Sequence, residues 1–204
     1  MPIRRPLVIE SIAGSGKSTE LAIAYLEITN NPRGIVLFFD AVNAKDFPVF
    51  KKSMERTLEA ASKLGSGKQI AVLFDGIDEI DGDSRVKTLE LLRTMAQQPN
   101  THVIASSRPG EFNPLRNEAM ILHLLPIGPD QRVAFLKVRM DQSRRVPEKM
   151  KKIEKTIDFL SSDQLSNEIR NTPLILFFLC KLSMTDAGLD GIWNRAKLYE
   201  GIVK

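Results

Sequence analysis

The sequence predicts a three-layer α/β core built on a parallel five-stranded sheet, followed by a helical subdomain. Three observations carry that expectation. Residues 1–126 alternate short apolar runs with longer segments of helical period. The runs are continuously apolar, as strands buried on both faces are, and such strands belong to parallel sheets with helices on each side. After Pro126 no strand-like run follows, only helical patterns.

The elements follow in order. Leu7–Glu10 is a short apolar strand, and Lys17–Thr29 reads as a helix. Ile35–Phe39 is a second strand. Asp46–Leu64 places apolar residues at helical spacing until Gly65-Ser-Gly67 breaks it. Ile70–Phe74 is a third strand. Ser84–Gln98 is a helix with Val86, Leu89, Leu92 and Met95 on one face and Ser84 as a candidate cap. His102–Ala105 and Met120–Leu124 complete the strands. A boundary near Pro126–Pro129 divides a core, residues 1–126, from a helical lid, residues 127–204. Asp130–Met140, Pro147–Leu160, Gln164–Ile169 and Pro173–Leu182 read as its helices. Another helix opens at Asn194 and runs uncapped to Lys204, the pattern of a longer parent chain.

Composition excludes several classes. Hydrophobic residues are 43% and charged residues 26% of 204, the balance of a folded globular chain and not of a disordered tail, collagen or coiled coil. The longest apolar run, Leu174–Cys180, ends at Lys181 and is far short of the roughly 18–20 residues that span a bilayer. Charge at the N-terminus has no apolar segment behind it, so no secretory signal is read. The single cysteine, Cys180, excludes an internal disulfide, reads as a buried inert thiol and fits a reducing, cytoplasmic setting. Two histidines and one cysteine are too few for a zinc site of nitrogen and sulfur ligands. The net charge is +4, and Lys137–Lys155 carries eight basic against three acidic residues. Without interleaved aromatics for base stacking, that segment reads as a solvated face, and nucleic acid is not the expected partner.

The strongest chemical signal is Ala13-Gly14-Ser15-Gly16-Lys17-Ser18-Thr19 between a strand and a helix. Glycines there let successive N–H groups curl toward one anion, and the helix that follows adds its positive end. Lys17 supplies a mobile charge for terminal phosphates, Ser18 a hydroxyl for Mg²⁺, and Thr19 a contact to the first phosphate. The usual loop opens with glycine where this chain has Ser11.

The second signal is Ala71-Val-Leu-Phe-Asp75-Gly76-Ile77-Asp78-Glu79. A carboxylate at the end of a buried strand is costly unless a cation meets it, so Asp75 is a candidate Mg²⁺ ligand opposite Ser18. Asp78 or Glu79 is the candidate acceptor for an attacking water, Asp78 being preferred. The third signal is Ser106-Ser107-Arg108-Pro109, where Arg108 or Ser107 could sense the terminal phosphate.

Together these segments resemble the NACHT family of signal-transduction NTPases, P-loop ATPases related to AAA+ proteins. The Asp-Gly-x-Asp-Glu form is the most discriminating piece, and Asn171-Thr-Pro-Leu174 and Arg195–Tyr199 are similar to later family segments. The resemblance implies a P-loop NTPase core with strand order 5-1-4-3-2, binding of ATP (GTP left open) with Mg²⁺, and slow hydrolysis. It implies self-association in the ATP state, with effector and sensor domains outside these residues. It places Pro173 against the nucleotide base, although proline at a helix start needs no ligand to explain it. Ser11-Ile12 departs from the family's Gly-Glu. Alternatives are an AAA+ nucleic-acid motor or loader using the basic segment, a non-hydrolysing nucleotide-binding module, and a small-molecule kinase whose lid would need Arg144-Arg145.

Overall fold

The computed structural model describes residues 5–65, 67–110, 117–140, 147–161 and 170–183. They fall into two compact units, Met1–Leu124 and Leu125–Lys204. The expected helices at Gln164–Ile169 and from Asn194, with Arg144, Arg145 and Arg195–Tyr199, lie outside the described residues.

The first unit is the predicted parallel sheet. Its strands are β1 (Leu7–Glu10), β2 (Gly34–Asp40), β3 (Gln69–Asp75), β4 (Thr101–Ser107) and β5 (Met120–His123). Their order is β2-β3-β4-β1-β5, which is 5-1-4-3-2 read from the other edge. All pairings are parallel, so every strand ends on the same edge of the sheet. That edge collects the end of β1, the end of β3 and, between them, the end of β4.

Helices α1 (Lys17–Thr29), α2 (Phe47–Leu64) and α3 (Gly82–Ala96) supply the outer layers. One sheet face presents Val72, Phe74, Val103, Ala105 and Val8 to a core that also contains Phe50, Met54, Leu89 and Leu92. Phe39, Phe50 and Phe74 meet edge-to-face in succession, the geometry aromatic quadrupoles prefer. The other face receives Leu21 of α1, which is fully buried. Phe74 is fully buried one residue before Asp75, so packing holds the strand end that carries the carboxylate.

Two boundaries differ from expectation. Helix α3 begins two residues before Ser84, with Asp81 in the cap position. Ser84 is therefore inside the first turn, and its carbonyl accepts the Thr88 hydroxyl at 2.8 Å. Strand β4 continues through Ser107, because its polar end pairs in register with Ile9 and Glu10.

The second unit holds α4 (Pro129–Met140), α5 (Pro147–Ser161) and α6 (Pro173–Ser183) around Leu136, Leu160, Ile175, Leu176, Leu179 and Cys180. Cys180 is buried, as its apolar surroundings predict. Asn171 organises the entry to α6: its carbonyl accepts from Ile127 N at 3.3 Å and its side chain from Arg132 Nη1 at 3.2 Å. Among the described residues no helix is long and apolar enough to cross a membrane.

Candidate nucleotide site

The loop from Ser11 to Gly16 leaves β1 and turns into α1. Gly14 and Gly16 have φ of 76° and 103°, a left-handed region that costs glycine nothing and a side chain about 1–2 kcal/mol. Left-handed residues at alternate positions turn successive N–H groups into a concave anion nest. Gly16 caps α1 without a side-chain acceptor, so the first N–H groups of the helix keep their donors for a ligand. Between the glycines the Ser15 hydroxyl is buried with no hydrogen-bond partner among the described residues, a donor that a phosphate oxygen would satisfy. Ser11 is not among the positive-φ residues, so the missing glycine is not required by backbone conformation. Its N–H donates to Ser107 O at 3.3 Å, tying the loop to β4. Ala13, Ser18 and Thr19 are exposed at the loop and first turn.

Lys17 folds back over this loop. Its ammonium donates to Ser11 O at 2.8 Å and Ile12 O at 3.2 Å. Burial pushes its pKa below the usual lysine range. The carboxylates of Asp78, Asp75 and Glu79 oppose that shift, and Arg108 adds to it. The charged groups singled out in the first unit thus all act on the Lys17 ammonium electrostatically.

Asp75 ends β3. Ser106 Oγ donates to Asp75 Oδ1 and accepts from Gly76 N at 2.9 Å. Ser106 is fully buried. It, and not Ser107, fixes the carboxylate: the Ser107 hydroxyl turns to Arg108 O at 3.1 Å. The register explains the choice. Phe74 pairs with Ala105, so Asp75 and Ser106 share a face and Ser107 lies on the other. Asp40, level with Asp75 on β2, brings a further carboxylate to this edge that sequence reasoning did not single out. Its signal was a second apolar strand ending in aspartate.

Gly76 (φ 82°) turns the chain into a 3₁₀ turn, Ile77–Glu79, anchored by the fully buried Ile77. A side chain at Gly76 would meet Ala41 Cβ at 3.3 Å. The turn brings Asp78 back to the end of β4. Asp78 Oδ1 accepts from Arg108 N at 3.0 Å, and Oδ2 pairs with Arg108 Nε at 2.9 Å. Glu79 is exposed. Pro173 belongs to the second unit, at the first turn of α6.

Among the described residues no group of three acidic, histidine or cysteine side chains could hold a metal ion. Mg²⁺ in nucleotide sites takes only one or two protein ligands and completes its shell with phosphates and water. A single hydroxyl (Ser18) and a single rigid carboxylate (Asp75) fit a metal that arrives with its nucleotide.

No protein-family model matches the chain, and no curated protein matches it. Solved structures do. The AAA domain of FIGL-1 in complex with ADP superposes with a TM-score of 0.61 at 15% identity, covering 89% of this chain and 61% of that one. A katanin structure on self-assembly gives 0.59 at 16% identity, covering 98% and 67%. Drosophila ORC bound to DNA gives 0.59 at 14% identity, covering 97% and 59%. The fold is that of AAA+ P-loop NTPase domains. This chain therefore spans about three fifths to two thirds of these three chains. The narrower NACHT resemblance rests on the sequence motifs alone.

Proposed function

We propose that this chain is the nucleotide-binding core of an AAA+-type nucleoside-triphosphatase that takes ATP with Mg²⁺. The observation that carries the reading is the convergence of an uncapped glycine nest, Lys17, a strand-end Asp75 and the Asp78–Arg108 pair on one edge of a parallel sheet. Ligands of open α/β sheets bind at that edge.

The proposed roles follow from the placement. Backbone N–H groups of residues 13–19 and the Ser15 hydroxyl hold phosphate oxygens. Lys17 leaves the Ser11 and Ile12 carbonyls for the terminal phosphates, where its charge offsets what develops in phosphoryl transfer. Ser18 and Asp75 would hold Mg²⁺, which when bound would neutralise phosphate charge. Arg108 contacts the terminal phosphate. Asp78 or Glu79 orients and accepts a proton from the attacking water.

The finer reading, supported by the Asp-Gly-x-Asp-Glu motif, is a NACHT-like switch. Its ATP state self-associates, and effector and sensor domains lie outside these residues. Self-association is also the subject of the katanin neighbour. A second reading, a nucleic-acid motor or loader, is favoured by the likeness to ORC, which was solved bound to DNA, and by the basic segment Lys137–Lys155. The test of the shared core is whether Mg·ATP binding depends on Lys17. Duplex-DNA affinity that falls steeply with salt selects the second reading, because released counterions set that slope. Affinity that is absent at low salt selects the first.

A further inference from the structure

Asp78 and Arg108 are thirty residues apart in sequence and form a two-point clasp. Both carboxylate oxygens are used, one by the Arg108 backbone N–H and one by its side chain. The Asp78 side chain is only 6% exposed, whereas that of Arg108 is 57% exposed. The pairing is one-sided on the guanidinium. Nε carries it, and neither Nη nitrogen has a partner among the described residues. A fork held through Nε has its plane fixed and keeps two parallel donors for a second oxyanion, the arrangement arginine uses for bidentate phosphate contacts.

Resting on the P-loop reading above, we infer that Asp78 is a positioning residue for Arg108: it orients the guanidinium so that its two Nη groups read the terminal phosphate, and it leaves Glu79 as the acid that faces the attacking water. Three features agree. Each Asp78 oxygen already accepts from Arg108, one from its N and one from its Nε. Glu79 is exposed and stands one residue further on the same 3₁₀ turn. Ser11 N donates to Ser107 O at 3.3 Å, so the phosphate loop is tied to the residue next to Arg108. A solvated ion pair that merely staples the turn to β4 would not require a buried carboxylate beneath an exposed guanidinium.

The test measures equilibrium affinity for Mg·ATPγS and Mg·ADP in the whole chain. It compares the parent with Asp78→Asn, Arg108→Gln, Arg108→Lys, Glu79→Gln and the Asp78→Asn/Arg108→Gln double variant. Single-turnover ATP hydrolysis is followed alongside. Losing a charge-assisted contact costs about tenfold or more in affinity. The expected result is that Asp78→Asn and both Arg108 variants lose the preference for triphosphate over diphosphate by that factor. The double variant should lose no more than either single one, because partners in one interaction are not additive. Glu79→Gln should keep the preference and lose turnover. Asp78→Asn with parental preference and lost turnover overturns the inference and makes Asp78 the water acceptor. If Asp78→Asn does not fold, Arg108→Lys decides. It keeps the charge but not the fork, so a parental preference there overturns the inference. A parent that binds both nucleotides equally overturns it too. A parent that binds neither refutes the P-loop reading itself.

Discussion

Ser106→Ala is the perturbation whose size the structure determines best. The Ser106 hydroxyl donates to Asp75 and accepts from Gly76 N at 2.9 Å, and the residue is fully buried. Alanine removes a hydrogen bond to a charged group, about 1.5–3 kcal/mol, and strands a buried N–H, about 1–3 kcal/mol. One hydroxyl serves both bonds, so the losses overlap and a total of about 2–4 kcal/mol is expected. Urea unfolding, with the slope unchanged and the midpoint lowered, reads it directly. Ser107→Ala is the matched control, since its hydroxyl reaches only the carbonyl of the next residue. That change should cost no more than about 1 kcal/mol. The freed Asp75 carboxylate should also hold Mg²⁺ less rigidly, raising the Mg²⁺ concentration needed for half-maximal ATP binding in Ser106→Ala but not in Ser107→Ala. Equal losses from the two substitutions, or a loss under about 0.5 kcal/mol for Ser106→Ala, would refute the assignment.

Two further outcomes follow from the loop. Ser11→Gly should leave ATP affinity unchanged or tighten it, because Ser11 does not occupy a glycine-only conformation and contributes its backbone; a loss beyond tenfold in a binding titration would give the hydroxyl a role of its own. Burial lowers the Lys17 pKa, so in the alkaline window between its folded value and the ordinary lysine value the unfolded chain holds more protons and stability rises with pH. Phosphates favour the charged form, so ATP affinity should fall with rising pH over that same window, and an affinity flat through it in calorimetry would contradict the shift.

Much of the site was legible in the sequence because it is local. The loop Ala13–Thr19 lies in one strand-turn-helix unit, and its glycines declare the turn they make. Asp75 could be placed because a continuous apolar run ends on it. The parts that could not be read depend on register and on contacts between distant segments. Ser106 and Ser107 are adjacent serines, and only the pairing of β4 with β3 decides which faces Asp75. Asp78 and Arg108 are thirty residues apart, and only the fold shows that both Asp78 oxygens meet Arg108. Helix α3 starts at Gly82, where Asp81-Gly-Asp-Ser offers three cap-forming residues in four positions and the sequence alone does not rank them. Glu10, only 3% exposed beside His123 Nδ1 at 3.8 Å, escaped notice because it closes a short apolar strand that otherwise reads as pure core.

The central claim is that the Gly14–Gly16 nest and Lys17 form a triphosphate site. Titration calorimetry of Mg·ATP into the parent chain and into Lys17→Ala tests it most directly, with urea unfolding confirming that both are folded. Lys17 lies outside the buried core cluster, so the fold should survive, at a cost of about 1–3 kcal/mol for its hydrogen bonds to Ser11 O and Ile12 O. The predicted result is saturable binding by the parent and a loss of an order of magnitude or more in the variant, the effect of removing one charge-assisted phosphate contact. Equal affinity in two equally folded proteins would contradict the account.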